Sequence, residues 1–485
     1  MLAGTVPVPR GCGEKHGTGT VPAKGNKPKA GTWVCRCFVI VATTFLCLSV
    51  AAVGEDTSEV GEDGDEDAGG VAVETAQRIT YPLSVIGPEP ADITPPSAAE
   101  VHEAIRRGVA FLLETQLKQG TWGRSANSKY YRIWAPVPGA HDAFRTATTS
   151  LCVMALVEAR QLFEGELREQ MEQAIDRGQA WLLEHADDLR RSEPDAADDY
   201  FGYALYNVWG HSFSIHAIVR LHERASGDTR LQAKLRTLLE YQVDRLRRDE
   251  YLNGGWGYYD EAFSDKYGRN VRPRRARMQR PTGSPISFTT ATALIALKEA
   301  AALGVEFPEA AVQRAIASIH RQRYPDFAYA YGEYLRYSPR AGINRPAGSL
   351  GRSQVCNLAL RLYDDPLVTD DVLRTWLKRL IARNGWLSMS RKRHIPGKSP
   401  HFADFGVAGY FYYYGHFYAT MCFEQLPEQE RPYYQAHVAH LLLPLQEKDG
   451  SWWDYILYDY HQQYGTAMAI SSLVRCSQSP SSATE

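Results

Sequence analysis

Apolar positions recur at helical spacing in twelve windows of this 485-residue chain, and the windows alternate between two kinds. The first kind carries one apolar stripe on an otherwise charged helix. It covers roughly 101–117, 170–185, 231–246, 311–323, 370–382 and 435–446. The second kind is apolar or small nearly all round, near 145–159, 211–223, 287–300, 347–362, 407–423 and 464–475. A striped helix faces water on one side, whereas a helix apolar all round must be enclosed. The alternation therefore predicts six hairpins with polar helices outside and apolar helices inside: an all-α fold, a closed (α/α)6 toroid over 96–476. Closing the ring removes the apolar ends that an open superhelix, the structural alternative, must cap.

A repeated motif runs through these windows. Arg107-Gly108-Val109-Ala110-Phe111-Leu112 leads to Gln116 and then Gly120-Thr121-Trp122. Gln446 to Gly450-Ser451-Trp452 repeats its second half. Degenerate copies read Trp181, Gln242 with Gly254-Gly255-Trp256, Gln322 with Phe327-Ala328-Tyr329, and Trp376 with Asn384-Gly385-Trp386. The stretch 107–122 fits K/R-G-x-x-F/Y/W-L-x-x-x-Q-x-x-x-G-x-W at every defined position. That pattern resembles the QW repeat of squalene and oxidosqualene cyclases. Endings such as Tyr464-Gly465-Thr466-Ala467-Met468 are similar to those of protein prenyltransferase β-subunits. The resemblance covers about 100–476 and implies the toroid. It assigns the Gln and Trp structural roles, the Gln bonding backbone at a helix end and the Trp packing on the neighbouring hairpin.

The catalytic signatures that the resemblance would imply are missing. The ring holds no Asp-x-Asp-Asp acid and no Asp-Asp-x-x-Asp diphosphate site. None of its four cysteines follows an Asp at the spacing of a prenyltransferase zinc site. No cofactor and no metal are predicted.

Outside the ring, Lys27, Lys29 and Arg36 precede an apolar run from Phe38 to Val53, with small residues after it. This reads as an export signal over 1–54, and an uncleaved membrane anchor is the alternative, because the run is short for a span. Residues 55–95, acidic and then Pro-rich, read as a disordered tether, and 477–485 as a tail. Export places the chain in a periplasm or outside the cell, as a bacterial envelope protein. Cys152, Cys356, Cys422 and Cys476 are far apart and read as buried free thiols. Lys and Arg number 54 against 56 Asp and Glu, so no global charge draws nucleic acid.

The connections from outer to inner windows are long (123–144, 187–210, 247–286, 324–346, 383–406), and all leave the same rim. Long loops on a rigid scaffold carry function, so the candidate site lies there. Two of these loops are basic: 266–280, with Arg274, Arg275 and Arg277, and 391–398, with Arg391, Lys392 and Arg393. They suit an anionic ligand. Tyr410–Tyr418 opens an inner helix, and Tyr412, Tyr413 and His416 are candidates to line an aromatic cavity. His401 with Asp404, and Asp459 with His461, are the acid–base candidates just before inner helices. The chain thus reads as an exported protein, similar to prenyltransferases and squalene cyclases in its repeats, that binds or scaffolds. The alternative is an enzyme at the rim, either terpene-cyclase-like or polysaccharide-acting. Apolar lipid, an anionic ligand and a glycan are the candidate partners, and the oligomeric state is open.

Overall fold

The computed structural model describes residues 87–125, 138–187, 189, 206–258, 284–393 and 408–478. The outer helices are α1 (Ala98–Thr115), α3 (Gly165–His185), α5 (Thr229–Asp249), α7 (Glu309–Gln322), α9 (Asp370–Ala382) and α11 (Arg431–Leu442). The inner ones are α2 (Pro138–Ala159), α4 (Asn207–Arg224), α6 (Ser287–Ala302), α8 (Pro346–Leu362), α10 (Phe411–Glu424) and α12 (His461–Ser477). The two kinds differ in burial as their patterns require. Helix α5 buries one stripe, which includes Leu235, Leu239, Val243 and Leu246. Helix α6 buries every residue from Ser287 to Leu297. The first helix starts at a capping box. Ser97 Oγ accepts from Glu100 N (3.2 Å), and the Glu100 carboxylate accepts from Ser97 N (2.8 Å).

The inner helices pack in sequence, α2 on α4, α4 on α6, α6 on α8, α8 on α10 and α10 on α12. Helix α12 returns to pack on both α2 and α1, which closes the ring. The expected toroid is what the chain forms.

The repeats make the joints. At each of 117–121, 251–255, 324–328 and 447–451 the same two backbone bonds shape a turn: Leu117 N to Thr121 O with Gly120 N to Leu117 O, and their equivalents. The turn's fourth residue needs a left-handed backbone. It is Gly120, Gly254 or Gly450 in three copies (φ 95°, 88° and 89°), and Phe327 in the other (φ 63°). The glycines also lie against the next outer helix, where a Cβ at Gly450 would sit 2.4 Å from Arg107 O. The Trp that follows donates its Nε1–H to a carbonyl ten residues back: Trp122 to Leu112, Trp256 to Leu246 and Trp452 to Leu442. Gln116 Nε2 donates to Ala174 O of α3 (2.9 Å), and Gln446 Nε2 to Ala104 O of α1 (2.9 Å). The motif therefore binds each hairpin to the next, and its last copy binds the end of the ring to its beginning.

Three copies differ from the sequence reading. Arg323, not Gln322, precedes the turn at 324–328, and Gln322 Nε2 donates to Ser318 O within its own helix. Glu250, not Gln242, occupies the glutamine position, and its carboxylate takes Arg314 of α7 (2.8 and 3.0 Å). Gln242 instead bonds Ala186 O. Asn384-Gly385-Trp386 forms no such turn. It is a short helix, Asn384–Met389, that leaves Trp386 exposed. Residues 87–92, expected as the end of the tether, dock on α9: Glu89 pairs with Lys378, and Gly87 lies against Thr375 and Arg379. Cys152, Cys356 and Cys422 are buried free thiols, and Cys476 is half-buried.

Candidate functional site

The chain fills the ring at two levels. At the end where the inner helices finish, charged groups meet. Glu158 of α2 pairs with Arg475 of α12 (2.9 Å) and with Arg220 of α4 (3.6 Å). Arg220 and His216 both hold Glu299 of α6. Arg475 also reaches Glu424 of α10 (3.4 Å). Burial works against the charged form of Glu158, but Arg475 and Arg220 outweigh it and hold the carboxyl below its usual range. In the first turn of the inner helices, aromatic side chains reach across. Trp209 of α4 meets Tyr414 of the opposite helix α10 (6.0 Å between rings). Phe288 of α6 packs on Phe411 (4.9 Å), and Tyr414 Oη bonds Thr292 (2.7 Å). These contacts close the centre.

Around this plug, at the same end of the ring, lies an aromatic collar to which all six hairpins contribute. His141 of α2 meets Tyr458 edge-on, and Phe144 meets Tyr460 at a tilt. Phe144 meets Tyr206 (4.9 Å), Tyr206 meets Tyr258, and Tyr258 meets Trp209 and Tyr331. Tyr331 meets Phe288, and Tyr410 meets Phe411 and Tyr455. Trp209, Tyr258, Tyr410, Tyr464 and His141 remain partly open to solvent. Tyr258 and Tyr331 share a short hydroxyl–hydroxyl bond, and Tyr410 Oη donates to Tyr331 Oη (3.3 Å). Burial pushes all three phenols up, so they stay neutral donors. Of the five left-handed non-glycines among the described residues, Tyr206, Phe327, Lys392 and Tyr458 stand at this rim, and Asp364 follows the end of α8 at the other end of the ring. Backbone strain of this kind persists where surrounding structure holds it, and it concentrates at functional sites.

Two charged groups lie under the collar. Arg352 of α8 is fully buried between the Tyr331 and Phe411 rings. It bonds only carbonyls: Tyr329 O, Gly348 O and Ile343 O. Burial lowers it to about 10, which leaves it a cation at neutral pH. Asp454 is fully buried and accepts from Tyr464 Oη (2.8 Å), Tyr455 N (2.7 Å) and Tyr413 N (3.2 Å). The last bond caps helix α10 from another hairpin. Burial outweighs these three donors and raises Asp454 to about 6.

The structure sorts the residues expected from sequence. His401, Asp404, Arg274, Arg275 and Arg277 lie outside the described residues. Asp459 stands at the mouth, raised by burial and opposed by Arg124. His461 also stands there, but its Nδ1–H donates to Tyr458 O (3.1 Å) and its ring packs on Trp453. A backbone carbonyl, rather than Asp459, thus orients it, and burial lowers it to about 4. Tyr412 and His416 face away from the centre, where both bond Asn384 (2.9 and 2.8 Å). His416 Nδ1 donates to Tyr412 O, and burial lowers the ring to about 4, so it is a neutral core histidine. Helical spacing explains the difference: positions 411, 414 and 418 share the inward face of α10, and 412 and 416 the outward one. Sequence reading missed Trp209, Tyr258, Tyr331, Asp454 and Arg352. A lone Arg in the uncharged window 347–360 was the available signal for the last.

No family model matches the sequence, and no curated protein does. Among solved structures, the chain is similar to a GH76A alpha-1,6-mannanase from Salegentibacter sp. HEL1_6, with 11% identity and a TM-score of 0.42 over 78% of this chain and 98% of that one. An inactive variant of that mannanase in complex with alpha-1,6-mannotriose gives 11% identity and a TM-score of 0.41 over 79% and 99%.

Proposed function

We propose that this chain binds a carbohydrate across the mouth of its helical ring, against the aromatic collar. The observation that carries the reading is the pairing of a filled centre with a partly open, hydroxyl-bearing aromatic surface around it. A cyclase for long apolar substrates needs a deep dry cavity, and Trp209, Phe288 and Tyr414 occupy that space. The collar's rings offer flat faces to the C–H surface of a sugar, and the hydroxyl oxygens of Tyr410 and Tyr464, whose protons are engaged by Tyr331 and Asp454, can accept from its edges. With the export signal read from the sequence, the ligand would be a glycan met outside the cytoplasm.

Cleavage of that glycan is a second reading, favoured by Asp459 at the mouth with its carboxyl raised by burial. Glycoside hydrolysis takes two carboxyl groups about 5–10 Å apart, one of them protonated. Asp404 is the partner suggested by sequence.

The test is a glycan array with the exported chain, followed by calorimetry on each ligand found. Trp209→Ala and Tyr258→Ala should each weaken binding at least tenfold, whereas Arg220→Met at the other end of the ring should not. Unchanged binding in both mouth variants would refute the site. Product release that Asp459→Asn abolishes would establish cleavage.

A further inference from the structure

One place beside the collar has polar groups that the fold leaves unused. The turn after the short helix Asn384–Met389 is pinned to the 450s loop, because Lys392 N bonds the Asp454 carbonyl and Lys392 Nζ pairs with Glu447. Lys392 takes a left-handed backbone (φ 61°) to do so. The pinning buries Arg391 Nε and Nη1 without a hydrogen-bond partner among the described residues. Ser390 Oγ and Tyr413 Oη are also buried without one, each in a residue only 1% exposed. Arg391 lies over the Tyr412 ring (5.6 Å) and close enough to Tyr413 and Asp454 to act on both electrostatically. Unpartnered buried donors of this kind are rare in folded proteins and expensive to keep. Asp454 does not satisfy them, since its oxygens are taken by Tyr464 Oη and two backbone N–H groups.

We propose that Arg391, Ser390 and Tyr413 form a receptor for an anionic group, and that the glycan bound at the collar is therefore an acidic one. The inference rests on the carbohydrate reading above and narrows it to sugars that carry a carboxylate or a sulfate. A cationic guanidinium and two neutral hydroxyl donors match such a group, and each would gain the acceptor it lacks. The site adjoins the collar through Asp454, which accepts from the Tyr413 backbone N–H and the Tyr464 hydroxyl and feels the Arg391 charge, and Tyr455 beside it meets Tyr410. A residue of the chain lying on the aromatic rings can thus place its charged substituent on Arg391.

The experiment uses the full chain and calorimetric titration with oligosaccharides in matched pairs. Oligogalacturonate is compared with its methyl ester, and a sulfated oligosaccharide with its desulfated form. A wider panel of neutral and acidic oligosaccharides is run beside them. At least one acidic oligosaccharide should bind ten times or more tightly than its neutral partner, and the pair that responds identifies carboxylate or sulfate. Arg391→Gln should erase that preference. Tyr413→Phe, which removes a hydroxyl that holds nothing in the fold, should reduce it severalfold with an unchanged melting temperature. Trp209→Ala should weaken acidic and neutral ligands alike. Equal binding of the charged and neutral members of every pair, or a preference untouched by Arg391→Gln, overturns the anion site and leaves the collar reading standing. If neutral glycans alone bind, the anion site is likewise overturned. If no glycan of either kind binds, both readings fall.

Discussion

Single residues carry two of the account's consequences. Gly450 combines a left-handed backbone with a Cβ position only 2.4 Å from Arg107 O, whereas Gly165 is left-handed (φ 61°) with nothing within 4 Å. Gly165→Ala should then cost about 1 kcal/mol, the backbone strain alone. Gly450→Ala should cost at least about 2 kcal/mol, since the joint to α1 must open as well. Urea unfolding of the two variants measures the difference. Asp454 supplies the second consequence. Its folded pKa of about 6 lies above the ordinary 3.8 of an aspartate, so folding takes up a proton between those values. That contribution is most favourable below about pH 4, falls as pH rises towards 6, and is constant above, a change of roughly 3 kcal/mol at most. Asp454→Asn should flatten the stability profile across this window relative to the wild type. A variant that keeps the wild-type slope would place the carboxyl in a more polar setting than the structure shows.

At the scale of elements, the inner helices rest on charge at one end and aromatic packing at the other. Arg475 of α12 holds Glu158 of α2 across the seam where the ring closes. Arg475→Met leaves Glu158 buried with Arg220 as its remaining cation, and should cost about 3 kcal/mol. Adding Glu158→Gln should recover part of that loss, because the unpaired charge rather than the missing pair sets the cost. A double-mutant cycle in denaturant reads the coupling, and strictly additive losses would mean that the pair does not bridge the seam. The elements were the most legible feature of the sequence. Striped and fully apolar windows fall on the twelve helices, and helix α9 begins and ends where the pattern placed it, at Asp370–Ala382. Legibility failed where two patterns overlap. Gln242 and Asn384-Gly385-Trp386 resemble motif residues locally, but the repeat is defined by the turn and its contact with the next helix. Which of the Tyr410–Tyr418 rings face inward depends on the rotation of one helix. Nothing in a run of nine mostly aromatic residues records that rotation.

For the whole molecule, closure depends on the last repeat meeting the first. Gln446 to Ala104, Arg107 to Glu447 and Trp452 against Gly108 accomplish it. The ring was foreseeable because the first copy of the motif was intact in sequence and its second half returned at the last hairpin. The filled centre was not foreseeable, since composition alone does not say whether aromatic rings line a cavity or meet across it. That distinction underlies the proposal that the chain binds its ligand at its mouth. Hydrogen exchange with and without a bound glycan tests this most directly. The account predicts added protection confined to 206–214, 253–258, 408–414 and 455–464, with none at the Glu158–Arg475 end. Protection centred on that opposite end, or none at the mouth under saturating ligand, would contradict it.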